Sequence, residues 1–266
     1  MVMNTSGFGS ILPVRIKKFL ESTPLRRPLR YLRAWFRYGR DFMRFRRLAR
    51  TDGRFEVLWR NRWPCVDDFE GTSGFDRHYF YHLAWAARVL ADSKPKMHVD
   101  ISSHLDFCAI ISAFMPMEFC EFQTPMVDIQ GLTVRGADLR ALPYKSRSLP
   151  SVSCMHAAEH VGLGRYGDAL DPTGDLKAMK ELERVIAEGG QLLFIVPVGK
   201  AKIQFNAHRI YSCKQILEAF AALQLRELAL IPDDPEQGGL IRNATEVMAD
   251  GQKYGCGCFW FVRAKE

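Results

Sequence analysis

The sequence predicts an α/β protein: an open, mostly parallel sheet of seven strands with helices on both faces, preceded by a basic helical arm. Three observations predict it. Residues 191–198, QLLFIVPV, form a near-continuous apolar run, the mark of a parallel strand covered on both faces. Residues 175–186 carry Leu176, Met179, Leu182, Val185 and Ile186 at helical spacing. The charge-poor stretch 150–156, PSVSCMH, precedes them. Strand, helix and strand thus follow one another as in a right-handed crossover unit.

The arm comes first in the chain. Residues 1–50 hold thirteen Lys or Arg against Glu21 and Asp41, a net of +11. The whole chain is +7, so the other 216 residues are −4, and the basic balance belongs to the arm. Residues 29–50 read as a helix in which Leu29, Leu32, Trp35, Phe36, Phe42, Met43 and Phe45 alternate with eight arginines. Such a helix suits an anionic membrane surface, through residues 15–50. It suits equally a helix that packs its aromatics on a protein and leaves its arginines in water. Nucleic acid is not expected as a partner, because no aromatic RNA-binding signature or zinc finger accompanies the charge.

The domain follows, with boundaries expected at 1–69 for arm and linker and 70–266 for the sheet. Residues 75–91 read as an aromatic-rich helix, 96–101 as the first strand, 105–115 as a buried helix and 117–122 as the second strand. Residues 131–138 form a short third strand closed by Asp138, and 150–156 the fourth. The helix 175–186 is expected to end at Gly189-Gly190. After the fifth strand, Ser212 is the expected N-cap of a helix over 214–223. Residues 225–231 and 256–262 are the last strands, with a turn-rich surface excursion over 232–253.

No run of about 18 apolar residues is present, so no membrane span is expected, and no secretory signal is visible. Seven scattered cysteines read as reduced core thiols of a cytoplasmic protein; the arm adds the alternative of the inner membrane periphery. No metal site is expected. Cys256-Gly257-Cys258 lacks a second pair or a His cluster in sequence, and His78 with His82, four apart on one helical face, supplies two ligands only.

The motif D-L-x-x-L-P-Y (Asp138, Leu139, Leu142, Pro143, Tyr144), then Glu159-His160, then E-L-x-R-V-I-x-x-G-G-x-L-L-F-x-V-P (Glu181 to Pro197) resembles the second half of a class I S-adenosylmethionine (SAM)-dependent methyltransferase. The loop from Glu159 to Asp175, EHVGLGRYGDALDPTGD, resembles a bacterial family of methyltransferase-like proteins, many classed as a domain of unknown function. The resemblance covers roughly residues 70–265 and implies a Rossmann-like fold whose last strand inserts antiparallel. It also implies SAM as cofactor and a helix before the first strand that covers the cofactor mouth.

In that frame the turn Asp100-Ile101-Ser102-Ser103 after the first strand faces the cofactor. The family carries glycine where Ser102 stands, and this chain departs from it. Glu121 closes the second strand where an acid accepts both ribose hydroxyls, with Glu118 as the competing acid by a register shift. Asp138, beside Leu139, occupies the place of the acid that reads the adenine amino group. His156, Glu159 and His160 follow the fourth strand at the sheet's carboxyl edge, where ligands bind. His160, assisted by Glu159, suits a general base or a loop-orienting hydrogen bond. Arg165, Tyr166 and Asp168, set among glycines, suit either an anionic substrate group or an internal brace. His208, Arg209 and Tyr211 form a second candidate substrate wall.

Three functions remain open on the sequence. The first is methyl transfer to a small or carbohydrate-type acceptor. The second is a degenerate methyltransferase fold serving as a binding or scaffolding module. The third is an RNA-directed enzyme, disfavoured by the domain's own negative balance.

Overall fold

In a computed structural model, residues 26–51, 54–66 and 74–265 are described, the side chains of 26–30 and 51 excepted. Residues 15–25 of the expected membrane contact lie outside the described residues. The chain divides into two compact units, Met1–Gly74 and Phe75–Glu266.

In the first unit, α1 (Arg26–Leu48) continues into a 3-10 turn, Ala49–Thr51. Tyr38 and Phe42 pack their rings against Trp59, at 6.1 and 4.8 Å between centroids. Leu32, Phe36 and Met43 lie on a different side of the helix and are 68%, 78% and 60% exposed. One aromatic face of the helix is thus packed within its own unit, and one apolar strip is exposed.

In the second unit, α2 (Arg77–Ser93) leads to β1 (His98–Ile101), α3 (Leu105–Ile111), β2 (Met117–Glu121), β3 (Leu132–Gly136) and β4 (Leu149–Met155). Then follow α4 (Gly174–Val185), β5 (Ile186–Val198), a hairpin of β6 (Lys202–Gln204) with β7 (His208–Ile210), α5 (Cys213–Ala219), β8 (Gln224–Ile231), α6 (Glu246–Asp250) and β9 (Gly255–Val262). The described strands build a seven-stranded sheet in the order β3-β2-β1-β4-β5-β9-β8, with β9 antiparallel to both neighbours and the other pairs parallel. The order reverses at β1, whose next strand β4 lies on its other side, and such a switch opens a ligand crevice at the carboxyl ends of the strands. This is the predicted Rossmann-like fold, with the expected antiparallel last strand.

Apolar cores lie on both sheet faces, one around Met179, Leu182, Phe194, Phe220 and Phe259, the other around Trp85, Leu90, Phe107, Leu193 and Ile195. Neighbours Leu193 and Phe194 serve opposite cores, as the two-residue period of a strand requires. Every residue of 191–198 is buried, which accounts for the unbroken apolar run.

Some boundaries differ from the sequence reading. α3 ends at Ile111 rather than 115. Asp138 lies beyond the end of β3, in an isolated bridge with Ala141. Gly189-Gly190 does not cap α4, which ends at Val185 with Ile186 already extended. The glycine pair instead forms the irregular start of β5, where the β4 register shifts between Leu149 and Ser151. Gly189 has φ +69°, and a Cβ on Gly190 would lie 3.0 Å from the Leu149 carbonyl oxygen.

A polar chain crosses this apolar sheet. The Trp260 indole donates to Gln191 Oε1 (3.0 Å), and Gln191 Nε2 donates to Ser151 Oγ (2.9 Å). Ser151 meets His98 Nδ1 at 2.7 Å, His98 Nε2 meets Ser153 Oγ at 2.8 Å, and Ser153 donates to Asp100. Read in that direction every donor has an acceptor, so the chain satisfies polar groups that would otherwise be costly to bury.

Candidate functional site

The network ends under the turn after β1. Asp100 is fully buried beneath that turn and accepts the Ser103 backbone N–H at 3.1 Å. Ser103 Oγ in turn accepts the Met155 N–H at 2.9 Å, tying the turn to the end of β4. Ser102 adopts φ +56°, left-handed backbone that glycine occupies without strain. The turn thus keeps a glycine conformation with a serine in it.

Above the turn lies a cavity of about 1070 Å³ at the carboxyl edge of the parallel strands. It brings together Ser102, Ser103, Glu121, Asp138, Leu139, His156, Glu159, His160, Arg165, Tyr166, Asp168 and His208. Twelve side chains named on the sequence, from five chain segments, share one wall system. Asp100, expected to face the cofactor, lies buried beneath the turn and does not line the cavity, and neither do Arg209 and Tyr211. The Arg209 guanidinium donates to the Val161 carbonyl (2.7 Å) and sits 3.5 Å from Asp175, whose carboxylate also accepts the Tyr211 hydroxyl (2.9 Å). These two side chains brace the loop 159–175 from behind.

The acids differ in what they leave open. Glu121 lines the cavity, whereas Glu118 is engaged by Arg135; the register therefore favours Glu121 as the cavity acid of β2. Asp138 accepts the backbone N–H and Nε of Arg140 on Oδ1 (2.8 and 3.1 Å) and Nη2 on Oδ2 (2.8 Å). The Arg140 guanidinium holds its carboxyl below the usual range. Counting two lone pairs per oxygen, one acceptor position remains on Oδ2.

At the end of β4 the strand stops at Met155 and His156 turns left-handed at φ +55°. A 3-10 turn, Ala158–His160, then folds Glu159 inward, 1% exposed. His156 Nδ1 meets Glu159 Oε1 at 2.9 Å, and Glu159 Oε2 has no hydrogen-bond partner. His160 Nδ1 meets the Ala207 carbonyl at 2.6 Å, so Nδ1 carries the proton and Nε2 holds the free lone pair. That is the tautomer a proton acceptor needs. Arg165 also donates to the Ala207 carbonyl, at 3.1 Å, and Asp168 accepts the Gly162 N–H at 2.7 Å. Asp168 thereby folds its own loop. Gly162 sits at φ +80° with the Asp171 carbonyl oxygen 2.0 Å from where a Cβ would stand. Tyr166 remains 56% exposed, with its ring 5.7 Å from that of His160.

The sequence reading expected a helix over this cavity but did not place its side chains, and it missed Tyr254. His78 and Tyr79, from the first turn of α2, and Tyr254, just before β9, also line the cavity. The His78 ring stacks on His156 (5.5 Å) and Tyr254 (5.1 Å). Burial, with His156 beside it, lowers His78 to about 4. Burial raises the Tyr254 hydroxyl to about 12 and, with Glu159, raises Tyr79. Burial lowers His208 as well. The placement of α2 over the cavity was available from the expectation of a covering helix, but the aromatic partners from residue 254 onward left no local signal.

A model of the family described as "Caenorhabditis protein of unknown function, DUF268" matches residues 141–225, from the end of β3's loop to the start of β8. No curated protein matches. Among solved structures, the YcgJ protein of Bacillus subtilis is similar with a TM-score of 0.49 and 12% identity over 70% of this chain and 100% of its own. A SAM-dependent methyltransferase of Thermotoga maritima gives 0.48 and 15%, over 70% of this chain and 91% of its own. The Burkholderia thailandensis 1,6-didemethyltoxoflavin-N1-methyltransferase, solved with its substrate and S-adenosylhomocysteine, gives 0.48 and 9%, over 70% and 79%. These similarities are low, and the fold rests on the strand order and register described above.

Proposed function

We propose that this chain is a SAM-dependent methyltransferase acting on a small or carbohydrate-type acceptor in the cavity at the sheet's carboxyl edge. The observation that carries the reading is the placement of Glu121 and Asp138 at the ends of neighbouring strands beside the left-handed Ser102 turn. The residues fit the cofactor. Glu121 would take the ribose hydroxyls, Asp138 has one acceptor position for an exocyclic amine, and Ser102 keeps the backbone course of a glycine turn. The cavity, at about 1070 Å³, stands at the upper end of the roughly 300–1,000 Å³ of ordinary ligand pockets, a size compatible with a cofactor and a small acceptor.

When bound, the cofactor supplies an electrophilic methyl on a sulfonium. The chain's contribution is alignment and proton removal. His160 Nε2, held by the Ala207 carbonyl on the opposite ring nitrogen, would take the proton of an acceptor hydroxyl. Glu159 Oε1, 3.8 Å from that nitrogen, would stabilise the imidazolium so formed. Exposed Tyr166 offers a ring face at the mouth for a sugar, and Arg165 a guanidinium for an anionic substituent. The test is acceptor-dependent release of S-adenosylhomocysteine. His160→Ala is expected to lower kcat by about 10²–10⁴-fold with cofactor Kd unchanged; equal kcat in the variant removes His160 as base.

A second reading, a binding module on a degenerate fold, is favoured by one observation. The N–H groups of both Ser102 and Ser103 are already used internally, by the Cys120 carbonyl and by Asp100. In that case no turnover is found with any acceptor. As a further part of the proposal, α1 rests on an anionic membrane surface through its arginines and the exposed strip of Leu32, Phe36 and Met43. Among the described residues no helix is long and apolar enough to cross a membrane.

A further inference from the structure

His78, His156 and Cys256 come from α2, the loop after β4 and β9, and converge at the inner end of the cavity. One ring nitrogen from each histidine and the thiol sulfur all lie within 4.8 Å of one another. We propose that these three side chains bind a divalent transition metal, zinc by the nature of the donors, with a fourth position open to the cavity.

Four observations carry the assignment. The first is the spacing. His156 Nε2 and Cys256 Sγ are 3.4 Å apart. Tetrahedral zinc with its usual Zn–N and Zn–S bonds sets that edge at about 3.6 Å. Closing the longer edges requires a shift of about 1 Å and a turn of the half-buried His78 ring out of its stack on His156. The second is the outer partner of His156. Its Nδ1 faces Glu159 Oε1 at 2.9 Å, which leaves Nε2 as the unprotonated nitrogen beside the sulfur. A carboxylate on the far nitrogen fixes the ring and raises its basicity, as at most histidine–metal bonds.

The third observation is charge. Glu159 is 1% exposed, its Oε2 has no hydrogen-bond partner, and among the described residues its ion-pair partners are the histidines 156 and 160. Arg209 reaches its backbone carbonyl instead. A buried carboxylate beside a buried thiol is expensive without a cation, and a metal ion on the His156 imidazole supplies one. The fourth is the backbone. His156 is a non-glycine residue held at φ +55°, the kind of local strain that persists where a side chain's placement matters.

Three protein ligands with an open position are the pattern of zinc sites that act on a substrate, whereas structural sites close with four. Here His78 and His156 line the cavity and fully buried Cys256 does not, so the open side faces the cavity. A water, hydroxyl or thiol of a bound molecule would complete the sphere. In sequence, His78 and Cys256 pair as candidate ligands with the wrong neighbours, His82 and Cys258, because the three residues that meet stand 78 and 100 positions apart.

The test uses the full chain in a Cys65→Ser background, since Cys65 is the exposed cysteine of the seven. Chelator-treated protein is titrated with Co²⁺ alone and followed by absorbance. One equivalent is expected to produce the visible bands of a tetrahedral ion and a near-ultraviolet thiolate-to-cobalt band, both abolished by Zn²⁺. Cys256→Ser removes the thiolate band and Cys258→Ser keeps it. Glu159→Gln weakens Co²⁺ binding by about 10–100-fold, and His78→Ala by at least as much. No band, a thiolate band that survives Cys256→Ser, or unchanged affinity in His78→Ala overturns the site. Should Cys256→Ser fail to fold by circular dichroism, His78→Ala, at a half-buried position, decides the matter. No cofactor or acceptor enters the experiment, so its failure leaves the methyl-transfer reading standing.

Discussion

His98 and Asp100 stand two residues apart in β1, both fully buried, and they respond to pH in opposite senses. Burial lowers His98 to about 3 and raises Asp100 to about 6. For His98 the folded value is depressed, so the unfolded chain binds the proton better. Its contribution is present above about 6.5 and is lost as pH falls toward 3. For Asp100 the folded value is raised, so its contribution is present below 3.8 and is lost as pH rises through 6. Between about pH 4 and 6 the two slopes oppose, so the pair itself contributes almost no pH dependence there, while the lowered His78 adds a rise with pH. Asp100→Asn should remove the opposing slope, so that stability rises by about 3 kcal/mol more over that window than in the wild-type chain, from two units at about 1.4 kcal/mol each. Urea denaturation at several pH values reads this directly; parallel profiles in variant and wild type contradict the opposing pair. The individual residues of this network were legible only in part. A histidine and an aspartate in an apolar strand were visible, but their partners Ser151, Ser153 and Gln191 come from β4 and β5.

At the scale of elements, the sequence reading succeeded where a periodicity or a cap carried the information. Ser212 caps α5 as expected, and its Oγ accepts the Gln215 N–H while the Gln215 side chain reaches back. It failed where one property serves two structures. Positive φ is what a helix C-cap asks of glycine, and equally what the bulge at the start of β5 asks of Gly189. The β6–β7 hairpin was also missed, because three-residue strands carry no usable alternation. The arm is the element whose role is open to a separate test. Its exposed strip Leu32, Phe36 and Met43 lies beside exposed Arg33, Arg44 and Arg47. Flotation should show binding to phosphatidylserine-containing vesicles and none to phosphatidylcholine alone. Arg33→Glu/Arg44→Glu/Arg47→Glu should abolish it, at about 1 kcal/mol lost per basic residue. Equal binding to neutral vesicles, or none to anionic ones, contradicts a membrane role for α1.

At the scale of the whole molecule, the fold was legible because a doubly covered parallel sheet writes its strands as apolar runs and its helices as apolar stripes. The ends of β2 and β4 could be located from those runs, and with them Glu121 and the segment from His156 to His160, whereas Asp138 was placed by the motif it opens and lies beyond the end of β3. The rest of the site was not legible. His78, Tyr254 and Cys256 meet His156 only because the order reversal at β1 and the inserted β9 bring α2 and the chain's end to one edge. Arg209 and Tyr211 were assigned to the cavity because they precede a helix at that edge, but their side chains turn to Asp175 behind the loop.

The central claim is that the cavity holds SAM despite serine in the turn after β1. Calorimetric titration of the full chain with SAM and S-adenosylhomocysteine tests it most directly, repeated on Glu121→Ala. Micromolar binding of both is expected, weakened by about 10–100-fold in the variant as a charge-assisted hydrogen bond is lost. A folded wild-type sample that gives no heat at about 1 mM ligand, or a Glu121→Ala chain that binds as tightly as wild type, would contradict it.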